Sequence, residues 1–495
     1  MSLTNNNIEI NNNMENENEK VCFDFDKRIS TVSLARYFKH YYSNKFVYQK
    51  DHMYYFNGVY WICEHKTDLT QLNLFIGNEF FNKLIKEFNK FKKDKLKLEQ
   101  IDSHSGLQLQ NTLTKIEGSI RDLKNYDKRI KIVKECVHFL TNNDIEFNND
   151  PFSFAFNNKI YDLLQGKFIK AEYTQYISIT CGYDYIYEDD EEKKTKLEML
   201  IKSIFTDENI RNFYLTILST GLNGIPLEKF IIANGGGGNG KGLLNEFVQC
   251  ICGNYAYVLP SNVLTGSIKS GSNTEISLLN RKRIVNSREP DSRADLNCNT
   301  IKEITGGSEL NARVIYSTDT KVNLELTFIL ECNEKPKLNE VNDALRRRVI
   351  DVLFGQKFVD QQEYDDETPE EIEIIKKKLG IVDPVYKQKK FKDMNKCMMF
   401  NILAEYYKKF SDNKRQLKLP LDIIVRNNNC MQGSDEIYSY INETYTETEN
   451  KTDHIKLKNI FDIFKQSDYY GDMKKEHKKL ITYSSFQEKL QNNIC

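Results

Sequence analysis

Phe230-Ile-Ile-Ala-Asn-Gly-Gly-Gly-Gly-Asn-Gly-Lys241-Gly-Leu-Leu244 runs an apolar strand into a glycine-packed loop, a lysine and a helix. The helix is expected because the apolar residues at 243, 244, 247, 248 and 251 recur at helical spacing. Strand, glycine loop and helix in that order form the context of a phosphate-binding P-loop. Gly235, Gly236, Gly237, Gly238, Asn239 and Gly240 would curl so that backbone N–H groups point inward, with the positive end of the helix dipole behind them. Lys241 would reach the β- and γ-phosphates of a bound nucleotide. The next position of the pattern is normally Ser or Thr, whose hydroxyl holds Mg²⁺; here it is Gly242. One metal contact must therefore come from water or from elsewhere in the chain. The plainer reading is a glycine-rich turn beside a lysine, and the flanking strand and helix argue against it.

Composition bounds the rest. A chain of 495 residues exceeds one ordinary core, so several domains are expected. The 40% hydrophobic and 28% charged content suits a soluble globular protein. No run of eighteen apolar residues and no signal peptide are seen, so neither a membrane nor export is implied. A net charge of −1 gives no global attraction to nucleic acid, which leaves any DNA contact to local basic patches. The 11 cysteines are scattered without a C-x-x-C pair, which fits reduced thiols in an intracellular setting.

Residues 1–20 are rich in Asn and Glu and read as a disordered tail. An N-terminal α+β domain is expected over 21–190. It opens on aromatic strands around the hairpin pair Asn57-Gly58, continues through helical periodicity over 70–145, and holds a second hairpin at 152–168. The basic stretch Lys83–Leu98 is either a solvated helix face or a DNA contact. Asp24 and Asp26 alternate as paired acids of a metal site would, but an ordinary surface strand is the simpler expectation. The acidic run Glu188-Asp-Asp-Glu-Glu192 reads as an exposed linker. Within 193–355, a helical pattern to about 228 leads to the strand at Phe230 and then to alternating strands and helices that predict a three-layer α/β core, and 356–495 reads as charged and mostly helical.

Other residues extend the loop into a constellation. Arg283-Ile-Val-Asn-Ser-Arg-Glu289-Pro-Asp291 is a short apolar strand ending in a carboxylate, and Glu289 is the candidate for holding metal and polarising the attacking water. Asp291, beyond a proline, is a weaker one. Leu326-Thr-Phe-Ile-Leu-Glu-Cys-Asn333 ends in an amide that can hydrogen-bond a phosphate and a water at once. Asp343-Ala-Leu-Arg346-Arg347-Arg348 either pairs with surface acids or supplies a guanidinium to a neighbouring subunit's nucleotide.

These segments, together with Lys302-Glu-Ile-Thr-Gly-Gly-Ser-Glu-Leu-Asn-Ala-Arg313, stand in the order and spacing of a superfamily 3 helicase. The chain resembles the poxvirus-type branch, the primase–helicases of large DNA viruses and related mobile elements. Phe154-Ala-Phe-Asn-Asn-Lys-Ile-Tyr-Asp162 and Gly182-Tyr-Asp-Tyr185 resemble that family's domain before the helicase. Ser434-Asp-Glu-Ile-Tyr438 resembles the start of its C-terminal segment, for which a winged helix is one option. The resemblance spans roughly residues 40–470.

It implies an AAA+-like P-loop ATPase core flanked by the α+β N-terminal domain and the helical C-terminal one, acting as an ATP-dependent DNA helicase with ATP and Mg²⁺. In that frame Gly235–Gly240, Lys241 and Gly242 match Walker A, Glu289 Walker B and Asn333 the sensor asparagine. Arg347 and Arg348 match the pair that includes the arginine finger. The stretch from Thr305 to Lys321 matches the hairpin that lines the pore, with Arg313 and Lys321 as DNA-binding residues. Implied partners are single-stranded and forked DNA, further copies in a ring, expected as a hexamer, and a primase supplied by another chain or a missing N-terminal region. Host cytoplasm or a viral replication factory is the implied location. Two rivals stay open: a P-loop ATPase of DNA packaging or replication initiation, and a degenerate, non-hydrolysing DNA-binding subunit, as Gly242 suggests.

Overall fold

The computed structural model describes residues 23–26, 29–98, 103–268, 271–291, 294–307, 309–313, 321–339, 342–365, 379–433, 436–446, 454–472, 478 and 481–487. Contacts divide the chain into two units, Met1–Glu146 and Phe147–Cys495. The tail expected over 1–20 lies outside the described residues.

In the first unit, helix α1 (Thr31–Tyr42) begins with Ser30 and Ser33 capping each other's backbone. Strands β1 (Phe46–Gln49), β2 (His52–Phe56) and β3 (Trp61–Cys63) form an antiparallel meander. Asn57-Gly58 makes the second of its turns, with the Asn57 Oδ1 accepting from the N–H groups of Val59 and Tyr60. The first turn, Lys50-Asp51, takes positive φ at both residues, a conformation that side chains of this kind do not advertise. Helices α2 (Thr70–Phe75), α3 (Phe81–Leu98), α4 (Ser103–Arg121) and α5 (Tyr126–Leu140) fill the expected helical region. The basic α3 is partly engaged within its own unit: Lys92 pairs with Glu117 at 3.2 Å and Lys95 with Asp26 at 2.7 Å. Residues 23–26 form no strand; Phe23 and Phe25 are buried among the aromatic side chains of this core, and the acids beside them are surface partners.

The second unit opens with a three-stranded antiparallel sheet, β4 (Ser153–Ala155), β5 (Ile160–Asp162) and β6 (Lys167–Ile169). The domain boundary expected at 190 therefore does not coincide with the division of the fold, because this sheet is anchored to the elements that follow. Arg283, buried, donates to the carbonyls of Ser153 (2.9 Å) and Leu222 (2.6 Å) and stacks over Tyr255 at 4.2 Å. Replacing Arg283 by Met keeps the volume but strands both carbonyls. It is expected to cost the second unit about 2–4 kcal/mol, read as an earlier urea transition. The acidic run is likewise not a linker: Asp190 caps helix α6 (Glu191–Ile204), where Glu191 and Glu192 sit in the first turn and complement the helix dipole.

Helix α7 (Glu208–Thr220) leads to the central sheet, whose strands are β7 (Phe230–Asn234), β8 (Ala256–Val258), β10 (Ile284–Arg288), β13 (Thr327–Cys332) and β14 (Val349–Leu353). Between them lie α8 (Lys241–Cys252), β9 (Gly271–Ser272), α9 (Thr274–Ser277), α10 (Cys298–Thr305), β11 (Glu309–Arg313), β12 (Lys321–Asn323) and α11 (Asp343–Arg346). The order is β14-β7-β13-β10-β8 with every pair parallel. Alternation along the strands sends side chains to two faces. Ile231, Ala233, Ile284 and Ile329 face a core built with α6, α7, α8 and the long helix Lys389–Asp412. Phe230, Ile232, Val285 and Phe328 face another built with α10 and β12. Helices on both faces of a parallel sheet realise the expected three-layer α/β core. Beyond β14 come a parallel pair, Lys357–Val359 and Leu379–Ile381, and then helices. Among the described residues from 389 onward no strand is present that could form the wing of a winged helix. No helix among the described residues is long and apolar enough to cross a membrane.

Candidate active site

Parallel strands carry their ligand-binding loops at the carboxyl ends, and three neighbouring strands here end in register. Cys332 of β13 lies opposite Asn234 of β7, and Glu331 opposite Arg288 of β10. The residues that follow these ends, Gly235, Asn333 and Glu289, therefore come together at one edge although they are far apart in the chain.

The glycine loop joins β7 to α8 with positive φ at Gly235, Gly237, Gly238 and Gly240. At Gly235, glycine is required on two counts: φ is 154°, and a Cβ would stand 2.5 Å from the Phe354 carbonyl oxygen. At Gly236 and Gly237 a Cβ would meet nothing within 4 Å, so the loop opens on that side. Gly240 occupies the cap position of α8 and brings no side-chain acceptor. Asn239 instead turns its Oδ1 to the Lys241 N–H at 3.2 Å. Lys241 is buried, and its Nζ donates to the carbonyls of Cys332 (2.6 Å) and Gly235 (3.4 Å) and to Asn333 Oδ1 (3.1 Å). Burial pushes the neighbouring Cys332 thiol up to about 12, which keeps it neutral beside that ammonium.

Glu289 is exposed and sits at φ 41°, a left-handed conformation that costs a non-glycine residue about 1 kcal/mol or more. Two bonds hold it there: its N–H donates to the Glu331 carbonyl at 2.8 Å, and its Oε2 accepts from the Asn333 N–H at 3.4 Å. Lys241, Asn333 and Glu289 are thus joined in one hydrogen-bonded chain. Asp291 is exposed beyond Pro290.

The arginines lie elsewhere. Arg347 and Arg348 precede β14, at the amino ends of the strands, where the Phe230 N–H donates to the Arg348 carbonyl at 2.8 Å. Arg347 is exposed, with its Nε on the Asp343 carbonyl at 3.3 Å; Arg348 donates to the Ala344 carbonyl at 3.0 Å. Neither joins Lys241 in the same chain. Lys321 is exposed on β12, which pairs antiparallel with β11. Arg313 closes β11, and its side chain and residues 314–320, the connection between the two strands, lie outside the described residues.

Two buried acids escaped the sequence reading. Asp351 on β14 is fully buried against Lys335, Asn234 and Arg426, tying the helix Leu421–Gly433 to the sheet beside the loop. Glu331 on β13 is buried on the α8 side, with Oε1 accepting from Asn286 Nδ2 at 3.2 Å and ion-paired, without a hydrogen bond, to Arg288 Nε at 3.5 Å. The available signal was a charge inside an apolar strand, Phe328-Ile-Leu-Glu331-Cys332. Among the described residues no group of three or more His, Cys, Asp or Glu side chains is disposed to hold a metal.

Residues 35–207 match the family described as D5 N terminal like. A putative helicase of Acanthamoeba polyphaga mimivirus is 28% identical over 272 residues, covering 53% of this chain and 28% of that protein. Putative helicase 121R of Invertebrate iridescent virus 3 is 25% identical over 386 residues, covering 74% and 40%. Primase D5 of Fowlpox virus is 24% identical over 270 residues, covering 50% and 34%. Among solved structures, the apo NrS-1 C terminal region aligns with a TM-score of 0.36 at 13% identity, covering 73% of this chain and 85% of that one. The chain spans roughly a third of the length of these curated relatives. The D5-type match over residues 35–207 and these viral relatives support a place for the chain in the poxvirus-type primase–helicase family of large DNA viruses.

Proposed function

We propose that the chain is the motor of a viral replication helicase, an ATP hydrolase of superfamily 3 with an AAA+-like P-loop core. It would assemble as a ring, with a hexamer as the expected form, and draw single-stranded DNA through its centre. The observation that carries this reading is the hydrogen-bonded chain from Lys241 through Asn333 to Glu289 at the mouth of the glycine loop.

The residues fit a nucleotide. The loop is open at Gly236 and Gly237, Gly240 at the cap of α8 brings no side-chain acceptor of its own, and Lys241 already donates into the mouth of the loop. Bound Mg²⁺–ATP would supply the phosphoanhydride bond and a divalent charge on its oxygens. The N–H groups of residues 236–241 would cradle the phosphates. Lys241 Nζ would exchange its carbonyl contacts for phosphate oxygens. The exposed carboxylate of Glu289 would orient a water and accept its proton, while the Asn333 amide hydrogen-bonds the phosphate. Arg347 or Arg348 would act on the neighbouring subunit's nucleotide. Arg313 and Lys321, on the β11–β12 pair, would meet the DNA backbone. Priming would belong to another chain or to a region outside these residues.

Gly242 favours one second reading, a DNA-binding subunit that does not hydrolyse ATP. ATP turnover measured with and without single-stranded DNA, followed by strand displacement on a forked duplex, separates the possibilities. DNA-stimulated turnover with displacement supports the helicase, and turnover without displacement supports a packaging or initiation ATPase. Absence of turnover in folded, DNA-bound protein supports the second reading.

A further inference from the structure

Gly242 opens a gap that a side chain from another strand reaches into. Gly242 is the second residue of α8, and a Cβ built there would have a single atom within 4 Å, Glu331 Oε2 at 3.7 Å. Glu331 stands on β13 directly between Ala233 of β7 and Arg288 of β10. It shares the strand face of Asn333, two residues on, and its strand neighbour Cys332 takes the Lys241 ammonium on its carbonyl. Glu331 is only 4% exposed. A charge so buried is costly unless it is paired, and the pairing is one-sided. Asn286 and Arg288 both address Oε1, and among the described residues Oε2 accepts no hydrogen bond. Arg288 is itself shared with Glu246 of α8 at 3.1 Å.

We propose that Glu331 is a divalent-cation ligand of the nucleotide site, supplying from the sheet the oxygen that residue 242 lacks. The proposal rests on the nucleotide-site reading above. A hydroxyl at 242 and a carboxylate reaching over a bare Cα are alternative ways of placing one hard oxygen donor beside the phosphates. A carboxylate adds a negative charge that a hydroxyl does not, so the site would depend on its metal more strongly than a serine-bearing loop. The competing account is that Glu331 only neutralises Arg288 within the sheet.

The test uses the full chain with ADP and MnCl₂, following Mn²⁺ by electron paramagnetic resonance and metal-free ADP binding in EDTA by calorimetry. Glu331→Gln keeps the volume and the Asn286 bond; Glu331→Asp keeps the charge but withdraws it by one methylene. Each is expected to weaken Mn²⁺ binding to the ADP-loaded protein about tenfold or more, with metal-free ADP binding unchanged. Gly242→Ser is expected to recover part of the loss in the Glu331→Gln background. Unchanged Mn²⁺ affinity in either folded variant overturns the proposal. So does a parallel loss of Mn²⁺ and metal-free ADP binding, which is what a purely structural Glu331 would give. A wild-type protein that binds no ADP under either condition overturns the nucleotide-site reading itself, a different result from ADP binding that ignores Glu331.

Discussion

Lys241→Ala is expected to lower ATP turnover by at least about two orders of magnitude, with folding intact. The ammonium lies against the loop itself: it already spans the end of β7, through Gly235, and the end of β13, through Cys332 and Asn333. Preorganised charge aimed at a phosphoryl group in transfer is worth several kcal/mol because it needs no rearrangement when charge develops. The same burial bears on folding. Alanine leaves the buried Cys332 and Gly235 carbonyls without this donor, a loss of about 1–3 kcal/mol, so the thermal transition should fall while the cooperative fold is kept. Near-normal turnover in a folded variant would remove Lys241 from the chemistry.

The loop itself was readable because its chemistry is local. A run of glycines between an apolar strand and an amphipathic helix specifies backbone conformation without reference to anything distant, and positive φ at Gly235, Gly237, Gly238 and Gly240 follows from it. Glu289 and Asn333 were readable for a related reason. A polar residue ending an apolar strand marks the sheet edge, and parallel strands ending in register gather such residues. Glu331 was not readable, since it is the partner strand β10 that turns an acid within β13 into half of a pair with Arg288 and Asn286. Periodicity along one strand cannot show which atoms the neighbouring strand presents. The acidic run at 188–192 misled for the opposite reason. Charge density there suggested solvent, whereas Asp190 is a helix cap and Glu188 pairs with Lys193. The arginine triplet was expected at an edge facing away from the loop of its own chain, and the pairing of β14 with β7 puts it at the amino ends of the strands.

That location gives the arginine prediction its force. Arg347 and Arg348 sit at the amino ends of the strands, and Lys241, Asn333 and Glu289 sit at the carboxyl ends. The five residues of β7 lie between, about 16 Å at the usual rise per strand residue. Neither guanidinium can reach the loop of its own chain without unpairing β14 from β7. A charge that far away cannot stabilise phosphoryl transfer in its own subunit, whereas across a ring interface a finger is worth about 10³–10⁵ in rate. Arg347→Ala or Arg348→Ala is therefore expected to abolish hydrolysis while leaving nucleotide binding intact. The two positions should differ, because Arg347 is exposed with only the Asp343 carbonyl on its Nε, and Arg348 is half-buried. The exposed Arg347 is the better placed to leave its own subunit. Mixing inactive arginine-variant subunits with inactive Lys241→Ala subunits should recover part of the activity, since some interfaces then pair an intact loop with an intact finger. No recovery despite demonstrated co-assembly, or full turnover in a strictly monomeric sample, defeats the ring mechanism. If these arginines serve only as surface charge, each substitution shifts stability by less than about 1 kcal/mol and leaves turnover alone.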